Sequence, residues 1–308
     1  MAKVDPLPFV SVIIPTFNDD EVLETCLHAL ERQNYPKDCY EVIVINNNPN
    51  RRLAVDLSQF EKVREDIESQ PGSYAARNKG VKLAKGEVLA FTDADCIPAC
   101  DWLYQGIDSL KQHSTCGILA GAIQVVCRDE NKPTAVELYD LTHAFPQQRY
   151  VNHDHYGATA NVFTFKNVFE TVGFFDAALQ SGGDFEWGQR VYQAGYQVTY
   201  AEHARISHPA RYSFQDLKRK NCRVVKGHHR LMKQGLYSSK RFLGALVADL
   251  LVPYRTAPKI LQTKQIRGLA LRLKVLMIAV LVRYVRAWQR LQLGIRDIQH
   301  YRGSLLFR

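Results

Sequence analysis

The sequence predicts an α/β protein built on a mostly parallel central sheet, followed by a tail of basic helices. Short runs rich in β-branched residues, "FVSVIIP" (9–15), "YEVIVIN" (40–46) and "EVLAFTD" (87–93), alternate with segments of helical spacing. A strand–helix–strand–helix–strand order implies parallel strands joined by right-handed crossovers. The first run is apolar without alternation, as in a strand covered on both faces. Charge then separates the tail: residues 1–200 carry 17 Lys/Arg against 27 Asp/Glu, whereas residues 201–308 carry 23 against 4, a net of +19.

The first strand is ended by Pro15. "NDDEVLETCLHALERQ" (18–33) follows with Val22, Leu23, Leu27 and Leu30 on one helical face, and Asn18 with Asp19 suits a helix start. After the second strand, residues 53–69 are polar and carry no clear pattern. "SYAARNKGVKLAKG" (73–86) reads as a helix closing on Gly86. Further on, 116–127 reads as a strand, 157–176 as strand, helix and turn, 183–196 as a helix stopped by Gly195, and 197–209 as a last strand. From about residue 214 the chain reads as basic helices, which divides it into 1–213 and 214–308.

Composition narrows the class. Hydrophobic residues make up 46% and charged residues 23%, a globular profile. Seven cysteines lack paired metal-type spacing, so Cys96 and Cys100 do not suggest a zinc site, and an odd count without a framework fits a reducing compartment. The N-terminus shows no long apolar run behind a basic start, which predicts a cytoplasmic protein. In the last third the longest charge-free apolar run, Val275–Val282, is far short of the ~20 residues of a membrane span. The basic third points to an anionic partner. It has no zinc-finger or RNA-recognition pattern, which argues against nucleic acid.

Open α/β sheets bind ligands beyond the carboxyl ends of their strands. Thr16–Asn18, Asn46–Asn48, and Asp93 with Asp95 should therefore converge on one crevice. Carboxylates are costly to bury unless paired or bound to a cation. Asp93 and Asp95 can offer oxygens to one hard divalent cation, or they form an ordinary turn. Asp184 and Glu186, in "SGGDFEWGQR", are either charges favoured by a helix start or catalytic groups. His208 in "ISHPAR" is structural or a ligand.

The segments "SVIIPTFN", "EVIVINNNPN", "GSYAARNKG", "GEVLAFTDADC", "GATANVFTFKNVFETVGFFDAAL" and "GGDFEWGQRVYQAGYQV", with His208 after them, occur in the order seen in family-2 glycosyltransferases. Over roughly residues 9–210 the chain resembles an inverting enzyme of the GT-A fold, and the "GSYAARNKG" form is similar to bacterial enzymes that build surface or extracellular polysaccharides. The resemblance implies a nucleotide-sugar donor, a saccharide or lipid-linked acceptor, and Mn²⁺ or Mg²⁺ bridging the donor diphosphate. Thr16 with the neighbouring backbone of Pro15 and Asn18 would hold base and ribose. Arg77 and Asn78 would line the donor pocket. Asp93 would contact ribose or metal, and Asp95 would be the main metal ligand. His208 would complete the metal site or touch the diphosphate. Asp184 would be the general base, with Glu186 the competing candidate. Family members commonly carry an aspartate after the second strand. Here Asn46 or Asn47 stands there, able to pair with a base edge as donor and acceptor. Uridine is the leading base. The rival readings are an inactive binding or scaffold protein of the same fold and a nucleotidyltransferase. For the latter, "PTFNDDEVLE" lacks the Gly-rich loop and basic residue expected after the first strand.

In the tail, "GLALRLKVLMIAVLVRYVRAWQRLQ" (268–292) places Arg272, Arg283, Arg286 and Arg290 on one helical face. Leu273, Met277, Val280, Leu281, Tyr284, Trp288 and Leu291 fall opposite. Such a helix either lies in the interface of an anionic membrane, peripheral on its inner face, or packs on the protein with its arginines solvated. "FQDLKRKNCRVVKGHHR" (214–230) either closes over the donor diphosphate or forms a solvated helix.

Overall fold

A computed structural model describes residues 6–306 except 114, 252–256, 259, 264, 265 and 267. Its eight strands are β1 (Val10–Thr16), β2 (Tyr40–Asn46), β3 (Val63–Ile67), β4 (Val88–Thr92), β5 (Ile97–Pro98), β6 (Cys116–Val126), β7 (Asn161–Phe165) and β8 (Gln197–Pro209). They form one sheet in the order β3-β2-β1-β4-β7-β6-β8-β5. The half from β3 to β4 is parallel, with Thr16 opposite Asn46 and Ile13 opposite Phe91. Beyond β4 the pairing turns antiparallel: β7 runs against β4 and β6, and β5 against β8. The sheet is thus mixed. The polar stretch 53–69 contains β3, an edge strand whose "VREDI" carries no apolar signal; pairing of its backbone with Val42–Asn46 makes it a strand.

The helices interspersed with these strands are α1 (Asp20–Glu31), α2 (Ser73–Leu83), α3 (Trp102–Lys111), α4 (Ala135–His143), α5 (Gln147–Asp154), α6 (Lys166–Val172) and α7 (Gly183–Gln193). Strand side chains alternate between faces. Val10, Val12 and Ile14 share a core with Leu23, Cys26, Leu27 and Leu30 of α1 and with Trp102, Leu103 and Ile107 of α3. Ile13 points the other way, onto α2, so close that a Cβ at Gly80 would lie 2.4 Å from its Cγ2. Val22, expected on the buried face of α1, is exposed; Cys26 fills that face instead.

The chain divides into two compact units, Met1–Gln124 with Phe145–Pro209, and Val125–Ala144 with Ala210–Arg308. The second unit holds α4 together with α8 (Phe214–Lys233), α9 (Ser239–Leu250) and α10 (Leu269–Leu306). Leu138, Tyr139, Leu217, Val275, Ile278, Ala279 and Val282 form its core. Two buried carboxylates organise it. Asp140 accepts from Arg211 at 2.8 Å and lies 3.6 Å from Lys220. Burial pushes its pKa up, but Lys220 and Arg211 hold it below the usual range, while burial pushes Lys220 down to about 8. Asp249 pairs with Arg290 and, at 3.4 Å, with Arg286.

That second carboxylate inverts α10 relative to the packing with solvated arginines. Arg290 is 2% exposed, Arg283 donates to the Ala248 carbonyl at 2.9 Å, and Arg272 donates to the Ile266 carbonyl at 3.0 Å. The arginine face is the packed face. Leu269, Leu273, Met277, Leu281, Tyr284, Trp288, Leu291 and Ile295 are exposed, with Trp288 at 62%. No helix among the described residues is long and apolar enough to cross a membrane.

Close packing gives the first unit a sensitive point. A Cβ at Gly106 of α3 would sit 2.3 Å from Cζ of the buried Phe163 ring, which lies 4.9 Å from Trp102. Overpacking of this kind costs about 1–3 kcal/mol. Alanine gains about 1 kcal/mol in helix propensity over glycine. Gly106→Ala should therefore lower the urea midpoint, whereas Gly244→Ala, with nothing within 4 Å, should leave it unchanged or raise it.

Candidate functional site

The C-terminal ends of β1, β2 and β4 stop side by side, and each passes directly into polar chain: Phe17–Asp19, Asn47–Asn50 and Asp93–Cys96. The two-residue strand β5 follows at once and pairs Ile97 with Ser207 and Pro98 with Ile206. This pairing carries His208, at the end of β8, to the Asp-x-Asp turn. Its Nε2 lies 3.5 Å from Asp95 Oδ2. Its Nδ1 is 2.8 Å from the Pro209 carbonyl, which can only accept, so Nδ1 carries the proton. In the neutral ring Nε2 then presents a lone pair towards a carboxylate, a pair of groups that a cation between them would satisfy. Phe145, at φ 45°, packs its ring against the imidazole, tilted by 49° with centroids 4.6 Å apart.

Ligating atoms of Asp95, Cys96 and His208 all lie within 4.8 Å of one another. Spacing in sequence gave no reason to select Cys96. Burial, followed by the charges of Asp93 and Asp95, holds its thiol well above the usual range, so it is a neutral wall to this cluster. Hard oxygen and imidazole donors beside a neutral thiol suit Mg²⁺ or Mn²⁺ better than a soft, thiolate-bound metal. Asp19 adds a third carboxylate to the crevice. Partial burial and then Asp95, Asp20 and Asp93 raise its pKa, against an opposing hydrogen bond from the Phe17 amide. Mutual repulsion among carboxylates is what a divalent cation relieves.

Arg77, on the buried face of α2, donates to Asp93 Oδ1 and stacks over the Tyr74 ring at 5.7 Å. Its Nε is buried without a hydrogen-bond partner among the described residues, as is Oγ1 of Thr16 at the end of β1. Tyr74 donates to Asp184 Oδ1 at 3.2 Å, and the Phe185 amide donates to the same oxygen at 3.0 Å. Gly182, at φ 86°, and Gly183 open α7 just before Asp184; a Cβ at Gly183 would lie 2.8 Å from the Tyr74 ring. Burial holds the Asp184 carboxyl above its usual range, against the pull of Phe185, Arg77 and Tyr74. Tyr150 and Tyr156, stacked at 4.6 Å, complete the surroundings: burial, then the Asp184 charge, pushes Tyr150 up to about 12.

The other expected site residues are held within the protein as follows. Asn46 donates to the Arg51 carbonyl at 2.8 Å and to Glu65 at 3.1 Å. Asn47 donates to the carbonyls of Glu68 (2.9 Å) and Gln70 (2.8 Å) and accepts from the Gly72 amide at 2.7 Å. Asn78 clamps Phe175 by its amide and carbonyl, at 3.0 and 2.8 Å. Asn18, exposed at φ 60°, accepts from Asn48 at 2.8 Å. Pro15 lies within β1, opposite Ile45. Glu186 is paired with Arg190 through both oxygens, at 2.7 and 2.9 Å, and Arg190 in turn binds the carbonyls of Val172 and Phe174. Tyr74 was legible in one respect: its i, i+3 relation to Arg77 puts both on one helix face.

Residues 11–173 match the family described as Glycosyl transferase family 2. The chain is 35% identical over 257 residues to glycosyltransferase AglE of Haloferax volcanii, covering 82% of this chain and 83% of that one. It is 22% identical over 203 residues to the dolichyl N-acetyl-α-D-glucosaminyl phosphate 3-β-D-2,3-diacetamido-2,3-dideoxy-β-D-glucuronosyltransferase of Methanococcus voltae, covering 62% of this chain and 63% of that one. Among solved structures it resembles the mannosyltransferase PcManGT from Pyrobaculum calidifontis, in complex with GDP-Man and Mn²⁺, with a TM-score of 0.62 at 17% identity. That likeness covers 96% of this chain and 88% of that one and shows a shared GT-A-like fold.

The hydrogen bonds of Asn47 give a direct check. In Asn47→Asp, a carboxylate would replace the N–H donors that two carbonyls accept, in a nearly buried position. Removing such partners costs about 1–3 kcal/mol, more when a charge is left unpaired. Chemical denaturation should show a loss of at least that size at neutral pH, and a smaller one at a pH where the new carboxyl is protonated.

Proposed function

The chain belongs to glycosyl transferase family 2, and from that membership we propose that it moves a sugar from a nucleoside-diphosphate donor onto a saccharide or lipid-linked acceptor, with inversion at the anomeric carbon. The observation that carries the reading is the contrast between Asp184 and Glu186. The Tyr74 hydroxyl and the Phe185 amide both donate to Asp184 Oδ1, and no side chain or neighbouring-residue amide among the described residues donates to Oδ2. Glu186 has both oxygens engaged by Arg190. Of the two carboxylates that open α7, only Asp184 is thus available, and a single displacement needs one such base.

Asp184 Oδ2 accepts the proton of the acceptor hydroxyl as that oxygen bonds to the anomeric carbon. The bond from that carbon to the diphosphate oxygen breaks on the opposite face, and the nucleoside diphosphate leaves with the electron pair. Asp95 and His208 would hold Mn²⁺ or Mg²⁺, which would neutralise charge developing on the departing diphosphate. Asp93, fixed by Arg77, serves the ribose, and the partnerless Thr16 hydroxyl serves the nucleoside. Pro15 and Asn18 bound that end of the pocket through their backbone. Asn46, Asn47 and Asn78 shape the pocket by holding its loops. The base is therefore read by other groups, with uridine the leading candidate.

Two features support a lipid-linked acceptor and attachment at a membrane's inner face, in the assembly of a cell-surface or extracellular saccharide. The Methanococcus voltae relative is named for a dolichyl-linked sugar phosphate. The second unit also carries an unusual surface. The exposed stripe from Leu269 to Ile295 on α10 is about 40 Å long at 1.5 Å per residue. α8 exposes Lys218, Arg219, Arg223, Lys226, Arg230 and Lys233. An exposed apolar face with Trp and Tyr, on a unit that also exposes many cations, suits an anionic bilayer interface.

Binding of UDP- and GDP-sugars should be detectable by calorimetry and strengthened by Mn²⁺; no binding of any nucleotide sugar, with or without metal, would refute the enzyme reading. Asp184→Asn should keep donor affinity and lower transfer by about 10²–10⁴-fold, whereas unchanged turnover would exclude Asp184 as base. In flotation assays the protein should rise with anionic vesicles, and Leu273→Glu with Trp288→Glu should release it; a double variant that still floats would sink the interfacial reading.

A further inference from the structure

Resting on Asp184 as the base, we infer that Tyr74 is its positioning residue: the Tyr74 hydroxyl grips Oδ1 so that Oδ2 alone is turned to the proton it must take. The geometry is over-determined around the ring. Tyr74 projects from α2 with its hydroxyl 3.2 Å from Asp184 Oδ1. Phe175 packs on its ring at 5.7 Å between centroids, the Arg77 guanidinium covers it at 5.7 Å, and Gly183 leaves no room for a side chain on the remaining approach. Asn78, one turn along α2, fixes Phe175 in place by two backbone hydrogen bonds. The ring is thus clamped from α2, from the 173–179 segment and from the start of α7. It cannot swing away without disturbing all three.

A base needs one fixed orientation and one free lone pair. The Phe185 amide and the Tyr74 hydroxyl share the task of fixing Oδ1. They differ in kind, since the amide comes with the helix start whereas the hydroxyl is supplied from a different element. The charged and titratable groups facing Asp184 are Tyr74 and Arg77 from α2, and Tyr150 and Tyr156 from α5 and the turn after it. On its own helix, Glu186 and Arg190 are paired with each other. Tyr74 is the phenol in this set that donates to the carboxylate, and a donated hydrogen bond favours the charged form. Removing it leaves burial less opposed, so the carboxyl holds its proton to higher pH. A base that must be ionised then loses activity earlier as pH falls.

The test is the pH profile of kcat/KM with a saturating donor. Tyr74→Phe keeps the ring and its packing, and it should move the acid limb to higher pH by about one unit with donor affinity unchanged. Incorporation of 3-fluorotyrosine at 74, a more acidic donor, should move the limb the other way. Opposite displacements are expected; a limb that stays put in both proteins, or moves the same way in both, overturns the assignment. Should Tyr74→Phe fail to fold, as judged by lost donor binding, the fluorinated protein decides alone. Asp184→Asn separates the two ideas: retained turnover there would end the base assignment itself, whereas lost turnover with an unmoved limb would end only the role of Tyr74.

Discussion

A buried cation must be matched by nearby anions or dipoles, and the crevice is arranged around the one on α2. Arg77 is 4% exposed. Its guanidinium meets Asp93 on one side and the face of Tyr74 on the other, with Asp184 held by the same tyrosine. Leaving such a charge unpaired would cost several kcal/mol, so the positions of Asp93, Tyr74 and Asp184 are coupled through it. The carboxylate after β4 and the carboxylate that opens α7 belong to one electrostatic arrangement, although they come from distant parts of the chain.

Polar groups around that arrangement fall into two kinds. Asn46, Asn47, Asn78 and Glu186 are saturated by protein partners and hold loops or helix ends. Thr16 Oγ1 and Arg77 Nε are buried with no hydrogen-bond partner among the described residues. A buried unsatisfied group is expensive, and both stand close to the strand ends that carry the carboxylates. The saturated groups provide rigidity, and the unsatisfied ones provide reasons for something polar to bind.

The second unit shows how one buried carboxylate can decide which side of a helix faces inward. Asp249 draws Arg286 and Arg290 into the packed face of α10, and Arg283 follows to the Ala248 carbonyl. Leucines, Tyr284 and Trp288 are left outside. A hydrophobicity pattern alone would place those apolar residues in the core. The pairing of arginines with a carboxylate and carbonyls outweighs that preference, because small apolar residues such as Val275, Ala279 and Val282 already fill the interior.

Much of the parallel half could be read from local pattern. The β-branched runs became β1, β2 and β4; "GSYAARNKG" became α2; and the site-bearing turns fell at the strand ends as the rule for such sheets requires. What is local in chain, such as strand periodicity and the Gly195 stop after α7, is written in neighbouring residues, whereas α2 ends at Leu83, short of the expected stop at Gly86, because Ala84 already turns to extended backbone. Tertiary structure decided the rest. β3 has no apolar pattern and exists because β2 offers its edge. His208 reaches Asp95 because two residues of β5 pair with β8. Tyr74 meets Asp184 across 110 positions. Whether Asn47 faces a ligand or its own loop depends on where Glu68 and Gln70 place their carbonyls. Sequence determined which chemical groups stand at the strand ends. Only the folded chain decided which of them keep a lone pair or a proton to spare, because hydrogen bonding is settled by distances between residues that no local pattern encodes.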